Sequence, residues 1–308
     1  MNLHKSICAV VVTYNRKEKL IECLAALKAQ THLLDHIVVI DNASQDGTID
    51  FLRENSWQNS PTFTLKTLPN NQGGAGGFYE GIKFAEENQF DYIWLMDDDG
   101  VPAIDCLEQL LPYANEKRYI GPLVLDISDP NKLTFTLRLP KSKTVLSSLN
   151  DITSGQFQQI IYDVVMPFNG VLFSRKLVEG IGLPRKEFFI WGDDMEYTWR
   201  ARKQGYEIFT VIDAKFYHPR ELTLGTPMFF NLLKFNDTES KLKLYCMCRN
   251  NIRNLLDYKG LSISLLFCVK VIWFYLFTKP SLSKLKLGLL GIWHGLTKNF
   301  TQHRQFLK

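Results

Sequence analysis

From Ile7 to Val12 the chain reads ICAVVV, six apolar residues in a row, and then turns polar at Thr13, Tyr14, Asn15 and Arg16. A strand with one wet face alternates apolar and polar side chains. An unbroken Val-rich run instead suits a strand covered on both faces. The pattern recurs in HIVVI (His36–Ile40), which ends at Asp41, in TFTLKTL (Thr62–Leu68), and in YIWLM (Tyr92–Met96), which ends at Asp97. Between these runs, RKEKLIECLAALKAQ sets Leu20, Cys23, Leu24 and Leu27 at helical spacing, and NASQDGTIDFLRE reads as a turn and a helix start. A further helix is expected after the glycines at 73–77, running through about Asn88. Strands alternating with helices predict an α/β fold, a mostly parallel sheet with helices on both faces.

Ligands of such open sheets bind at the carboxyl ends of the strands. Here those ends carry TYNR (Thr13–Arg16), DNAS (Asp41–Ser44), NNQGGAGG (Asn70–Gly77) and DDD (Asp97–Asp99), so polar and flexible groups converge on one edge. From about Asp126 to Asp163 the sequence is less regular, with loops and a hairpin expected. VVMPFNGVLFSRKLV returns to a strand and a helix, FFIWGDDMEYTWRARKQG ends in a helix closed by Gly205, and YEIFTVIDAKFYHPR gives a strand ending at His218. Beyond about Glu221 the character shifts to long, apolar, basic helices.

The 308 residues are 45% hydrophobic and 22% charged, which excludes a disordered chain, and the net charge of +4 is too mild to imply nucleic-acid binding. The six cysteines show neither metal-ligand nor disulfide spacing and read as reduced thiols in a cytosolic protein. The N-terminal apolar run is too short for a signal peptide, so the Asn-x-Ser/Thr matches at Asn42, Asn236 and Asn299 are not read as glycan sites.

Two acidic clusters carry the chemistry. Charges ~4 Å apart near a surface repel by roughly 4 kcal/mol, so Asp97, Asp98 and Asp99 need something positive among them. A helix cap accounts for one aspartate, not three at a buried strand end. Oxygen-only ligands suit Mg²⁺ or Mn²⁺ shared with a substrate phosphate, and a single His, offered by His218, tilts the choice toward Mn²⁺. NNQGGAGGFYEG fails as a dinucleotide fingerprint: Gly74 and Gly76 fit GxGxxG, but Tyr79 stands where the last glycine belongs. Its glycines still allow backbone to approach a ligand, or simply make a flexible turn. In WGDDMEY, capping accounts for one of Asp193, Asp194 and Glu196; the functional reading is a general base acting on a hydroxyl nucleophile.

A metal–diphosphate cluster and a base cluster together describe a sugar-nucleotide transferase. The ordered motifs VVTYNR, VIDNASQDGT, NQGGAGGF, LMDDDG, FFIWGDDMEYTWRARKQGY and FYHPR resemble those of the family 2 inverting glycosyltransferases of the GT-A fold, over roughly residues 5 to 220. The resemblance implies a catalytic domain over 1–225, with a donor half to about 125 and an acceptor half from about 126, followed by amphipathic helices over 226–308. It also implies roles: Thr13, Asn15 and Asp41 on base and ribose, Gly74 and Gly76 near the donor, and Asp98 on the ribose. Asp97, Asp99 and His218 would hold Mn²⁺ or Mg²⁺. Asp194 would be the catalytic base, Asp193 and Glu196 would position acceptor hydroxyls, and Trp191 would form an acceptor platform. Gly192, between the Trp and the Asp pair, departs from the pattern of the polymerising mycobacterial enzymes.

The loop of glycines together with the acidic spacing is most similar to bacterial galactofuranosyltransferases, with rhamnosyltransferases using dTDP-rhamnose close behind. The implied reaction moves galactofuranose from UDP-galactofuranose, with inversion, to a glycan or lipid-linked acceptor in surface polysaccharide synthesis (lipopolysaccharide or capsule). A sugar nucleotidyltransferase would need glycines after the first strand, where TYNRKEK has none. A non-catalytic carbohydrate-binding or scaffold protein would not need intact aspartates at both clusters. LSISLLFCVKVIWFYLFT (Leu261–Thr278), interrupted by Lys270, and the lysine-rich segment after it read equally as helices packed on the catalytic domain or in a homo-oligomer, and as an element lying on the inner face of the cytoplasmic membrane. YCMCRNNIRN (Tyr245–Asn254) resembles the Tyr-x-x-x-Arg-Asn helix of many bacterial members.

Overall fold

A computed structural model describes residues 4–55, 57, 60–140, 142–155, 157–220 and 225–307. The change of character expected near Glu221 lies outside them. The chain divides into two compact units: unit 1 comprises Met1–Gln72, Gly77–Leu183 and Arg200–Arg220, and unit 2 comprises Gly73–Gly76, Pro184–Trp199 and Glu221–Lys308.

Unit 1 is built on one sheet. It opens with β1 (Ile7–Thr13), α1 (Lys17–Lys28), β2 (His36–Asp41), α2 (Thr48–Glu54), β3 (Phe63–Thr67), α3 (Gly73–Glu87) and β4 (Tyr92–Asp97). All seven residues of β1 are buried, as its unbroken apolar run requires. A short β5 (Val101–Pro102) and α4 (Cys106–Leu110) lead to β6 (Arg118–Asp126), then to β7 (Asp129–Arg138), β8 (Val145–Ser148), α5 (Leu149–Thr153) and β9 (Ile160–Tyr162). β10 (Asn169–Ser174) and α6 (Arg175–Ile181) follow; then come α7 (Asp193–Lys203), whose last turn belongs to this unit, and β11 (Glu207–His218).

The strand order is β3-β2-β1-β4-β10-β6-β11-β5. β1 to β4 run parallel, while β10 pairs antiparallel with both β4 and β6. Chain order reverses between β1 and β4, and a crevice opens at such a switch point. Register then decides which residues line it, with Thr13 opposite Asp41 and Val12 opposite Asp97. α3 lies against β1 because two of its glycines, one turn apart, leave room. A Cβ on Gly77 would meet Val12 Cγ1 at 2.4 Å, and one on Gly81 would meet Val10 Cγ1 at 2.3 Å.

The less regular middle of the sequence contains more strand than its composition suggests. β6 is a central strand despite Gly121 and Pro122. Pro122 has no N–H for the ladder, and the register with β11 slips by three residues directly after it, between Val211 and Lys215. β6, β7 and β8 form an antiparallel meander over a second apolar cluster that includes Leu123, Leu133 and Leu146.

Unit 2 is helical apart from a hairpin, β12 (Thr226–Met228) and β13 (Leu233–Phe235). It contains α8 (Lys241–Tyr258), α9 (Leu261–Trp273) with a π-helical turn (Phe274–Thr278), and α10 (Leu282–Leu296). Ser240 and Ser281 cap α8 and α10, each accepting from the N–H three residues on. The α8–α10 contact is close because α10 offers glycines: a Cβ on Gly291 would come 2.7 Å from Tyr245 O, and one on Gly295 would come 2.2 Å from Arg249 O. All six cysteines are free thiols, and only Cys268 on α9 is partly exposed.

Candidate active site

In unit 1 the carboxyl ends of β1, β2 and β4 bring the expected polar residues together. Thr13, 1% exposed, donates from Oγ1 to Asp98 Oδ2 at 2.8 Å. Asp41 is fully buried at the end of β2, and its two oxygens accept from the Ser44 N–H at 3.2 and 3.3 Å. Burial raises its pKa, only partly opposed by Ser44. Asn15, with φ 53°, ties the two loops: its N–H donates to Ser44 Oγ at 2.9 Å and its Oδ1 accepts from the Gln45 N–H at 2.7 Å. A short polar side chain tolerates that left-handed backbone better than most.

The aspartate triplet obtains its cations from its own chain. Arg16 places Nη1 2.6 Å from Asp99 Oδ2 and 3.4 Å from Asp98 Oδ1, and His218 Nε2 lies 3.1 Å from Asp99 Oδ1. The other ring nitrogen of His218, Nδ1, is 2.7 Å from the Pro219 carbonyl, which suits a donating Nδ1–H. Burial alone would push Asp99 up, but the hydrogen bond and charge of His218, with Arg16 behind, hold it below the usual carboxylate range. Burial would likewise lower His218; its bond to Asp99 wins and raises it. Asp98 is pushed up to about 6 by burial, against the pull of Thr13 and Arg16. Asp97 is raised well above its ordinary value by burial and then by the charges of Asp99 and Asp98. Arg16 is a site residue that the sequence reading passed over. The signal available was position: directly after β1, whose register against β4 brings it to Asp98.

The donor set suits a hard divalent ion, since the Asp97 carboxylate accepts no hydrogen bond among the described residues and adjoins Asp99 and His218. A ready-made cage is nevertheless absent: among the described residues no three His, Cys, Asp or Glu side chains gather as a metal-binding group. The expected ligands Asp99 and His218 are instead paired with each other. Any ion entering would loosen that pair.

In unit 2, Asp193 and Asp194 open α7. They follow a segment with unusual backbone: Phe189, Trp191 and Gly192 have φ of 67°, 64° and 90°. Left-handed conformations cost about 1–3 kcal/mol each for ordinary residues and persist only when their surroundings impose them. α8 imposes them here. Asn250 Nδ2 lies 3.0, 2.9 and 2.7 Å from the carbonyls of Phe188, Ile190 and Trp191, and Asn254 Nδ2 donates to Gly192 O at 2.7 Å. Arg249, fully buried, donates through Nη2 to Phe188 O at 2.8 Å and through Nε to Asn250 Oδ1 at 2.9 Å. The same segment receives the start of α3, where the Ala75 N–H donates to Phe189 O at 3.0 Å. A Cβ on Gly73 (φ 71°) would lie 2.0 Å from that oxygen. The close approach foreseen for these glycines is thus made to backbone at Gly73 and to β1 at Gly77 and Gly81. Gly74 and Gly76, expected near the donor, stand in the first turn of α3.

Asp194 caps its own helix, its Oδ1 accepting from the Met195 N–H at 2.6 Å. Burial raises its pKa while the amides of Met195, Asp194 and Gly192 pull it down, with a net rise. Asp193, 5% exposed, is driven well up by burial and by the charge of Asp194. Glu196 is fully buried; its Oε1 accepts from Tyr258 Oη at 2.5 Å and pairs with Arg185 Nε at 3.3 Å, a network that continues from Arg185 to Asp257 at 3.2 Å. Trp191 is partly buried against the unit 2 core. Gly192 owes its place to its φ and to Asn254 Nδ2, which a Cβ there would meet at 3.2 Å.

The family model for glycosyl transferase family 2 matches residues 8–179. Among curated proteins, galactofuranosyltransferase GlfT1 of Mycolicibacterium smegmatis is 30% identical over 296 residues, covering 91% of this chain and 93% of that protein. GlfT1 of Mycobacterium tuberculosis is 34% identical over 219 residues, 70% of each chain. Among solved structures, GalNAc-T7 with UDP, GalNAc and Mn²⁺ superposes with a TM-score of 0.61 at 14% identity, over 83% of this chain and 48% of that one. That last likeness concerns the fold.

Proposed function

Because this chain belongs to glycosyl transferase family 2, we propose that it transfers galactofuranose from UDP-galactofuranose to a hydroxyl of a glycan or lipid-linked acceptor, with inversion at the anomeric carbon. The observation that carries the choice of sugar is the 30% identity to GlfT1 along nearly the whole of both chains.

Thr13, Asn15 and Asp41 take the nucleoside, with Asp98 on the ribose. Asp97 and Asp99, with His218, hold a divalent ion, Mn²⁺ or Mg²⁺. Bound there, the ion supplies charge neutralisation for the departing diphosphate. The bare Asp97 carboxylate supports this reading, as does the Mn²⁺ named with GalNAc-T7. Asp194 removes the acceptor proton. A base works best with a pKa near the working pH, and burial moves this carboxyl upward from its ordinary value. Asp193 and Trp191 orient the acceptor. Glu196 acts through Arg185 and Tyr258, which anchor the start of α7.

The test is a panel of nucleotide sugars scored for metal-dependent nucleotide release, with Asp194→Asn alongside. UDP-galactofuranose is expected to lead. Asp194→Asn should retain nucleotide binding while transfer falls by about 10²–10⁴-fold, the usual contribution of a general base. Preference for dTDP-rhamnose would replace the sugar assignment, and near-normal turnover of the variant would remove Asp194 from its role.

A further inference from the structure

The outer sides of α9 and α10 invert the usual rule for surface helices. On α9 the exposed residues Leu261, Leu265, Val269, Ile272 and Leu276 recur at three- and four-residue spacing along its length, and Leu266 between them is 62% exposed. The opposite side of α9 sends Ser264 and Val271 inward, followed by Phe274 and Tyr275. α10 repeats the arrangement: its glycines face α8, while Leu282, Leu289, Trp293 and Leu296 face outward, Trp293 at 61%. The β12–β13 hairpin adds Phe230 and Leu232, 96% and 81% exposed, at a tip fixed by Phe229 stacked 4.4 Å from Trp273. An apolar surface on this scale does not stay in water without a partner.

We propose that this face of unit 2 lies on a lipid bilayer rich in anionic headgroups. Two observations select that occupant. Lys234, beside the hairpin tip, and Lys286, on the outer side of α10, have no acidic partner among the described residues, so unspent positive charge borders the leucines. An apolar face with lysines at its margin and a Trp within it is the pattern of an interfacial helix. Leu261–Thr278 is long and apolar enough to cross a membrane by length and composition. One side of that stretch, however, is committed to protein along its length, and Lys270 at its middle places Nζ 5.9 Å from the centre of the buried Phe235 ring. The helix therefore lies along the surface. The inference is independent of which sugar is moved.

The experiment is vesicle flotation of the full chain, with donor turnover measured on the same samples. The chain should float with vesicles of phosphatidylglycerol and phosphatidylethanolamine, and about tenfold less with phosphatidylcholine alone or in high salt. Lys286→Gln should weaken partition by about fivefold, the equivalent of ~1 kcal/mol for one lysine at an anionic surface. The double variant Phe230→Glu, Leu232→Glu sits on exposed positions and should abolish flotation while leaving the circular dichroism and donor hydrolysis unchanged. For the unaltered chain, brominated lipids should quench Trp fluorescence, with the quenched fraction lost in Trp293→Phe. Equal partition into charged and neutral vesicles would overturn the proposal. So would a stable dimer that shields Trp293 and ignores vesicles, which would assign the face to a second copy.

Discussion

Asn250→Ala tests how the acidic pair of α7 is held. The Asn250 side chain is fully buried, its Nδ2 shared among the carbonyls of Phe188, Ile190 and Trp191, its Oδ1 accepting from Arg249. An amide nitrogen has two hydrogens, so the three contacts amount to two bonds, each contributing about 1 kcal/mol net. The bond from the Arg249 guanidinium contributes about 1.5–3 kcal/mol, as charged donors do. The sum is about 4 kcal/mol, before any cost of leaving the guanidinium partly unpaired. In a body of this size that corresponds to a fall of roughly 10 °C in the unfolding midpoint. The strain at Phe189 and Trp191 is then free to relax, carrying Asp193 and Asp194 with it. Thermal unfolding, calorimetric titration with UDP, and transfer assays on one preparation separate the effects. Transfer should fall at least a hundredfold below the activity expected from the remaining folded fraction, with UDP affinity little changed. Asn250→Asp keeps an acceptor for Arg249 but has no N–H for the carbonyls, so it should lose transfer as severely while losing less stability. An alanine variant with the parental midpoint and transfer within twofold would refute the reasoning.

Other outcomes follow from neighbouring geometry. Gly73→Ala puts a Cβ 2.0 Å from a backbone oxygen at a φ of 71°, so it should cost about 3 kcal/mol or more by chemical denaturation, whereas the same change at Gly205, where a Cβ meets nothing within 4 Å, should cost only the backbone strain, about 1 kcal/mol. Asp193 has a folded pKa well above its unfolded one, so the folded state holds the extra proton between the two values and stability declines as pH rises through that window. Asp193→Asn should therefore be more stable than the parent at neutral pH, with the advantage vanishing below the unfolded carboxylate pKa; denaturation midpoints across that range decide it.

Legibility in the sequence depended on whether one kind of residue dominated a segment. β1, β2 and β4 are buried on both sides, so their apolar runs announced them within a residue of where they lie. β6 is just as central, yet Gly121 and Pro122 in RYIGPLVLD interrupt the signal, and its ladder tolerates them only because β11 bulges opposite. The aspartate triplet was visible as a like-charge problem. Its resolution by Arg16 was not, because strand order is a long-range fact. The clamp on the segment before α7 was hidden for the same reason: Asn250 and Phe188 stand 62 residues apart, and no local pattern links them. The glycines before α3 looked like a loop because small residues serve flexible turns and tight packing alike, and here they pack.

The dependence of Phe188–Gly192 on α8 sets an order of events for the nascent chain. The turn that presents Asp193 and Asp194 has little backbone bonding of its own and waits for Arg249, Asn250 and Asn254 to emerge from the ribosome. Unit 1's sheet can close while synthesis continues, but a chain stopped near residue 225 would carry its acidic pair on a slack tether. The last third is thus an assembly factor written into the same gene.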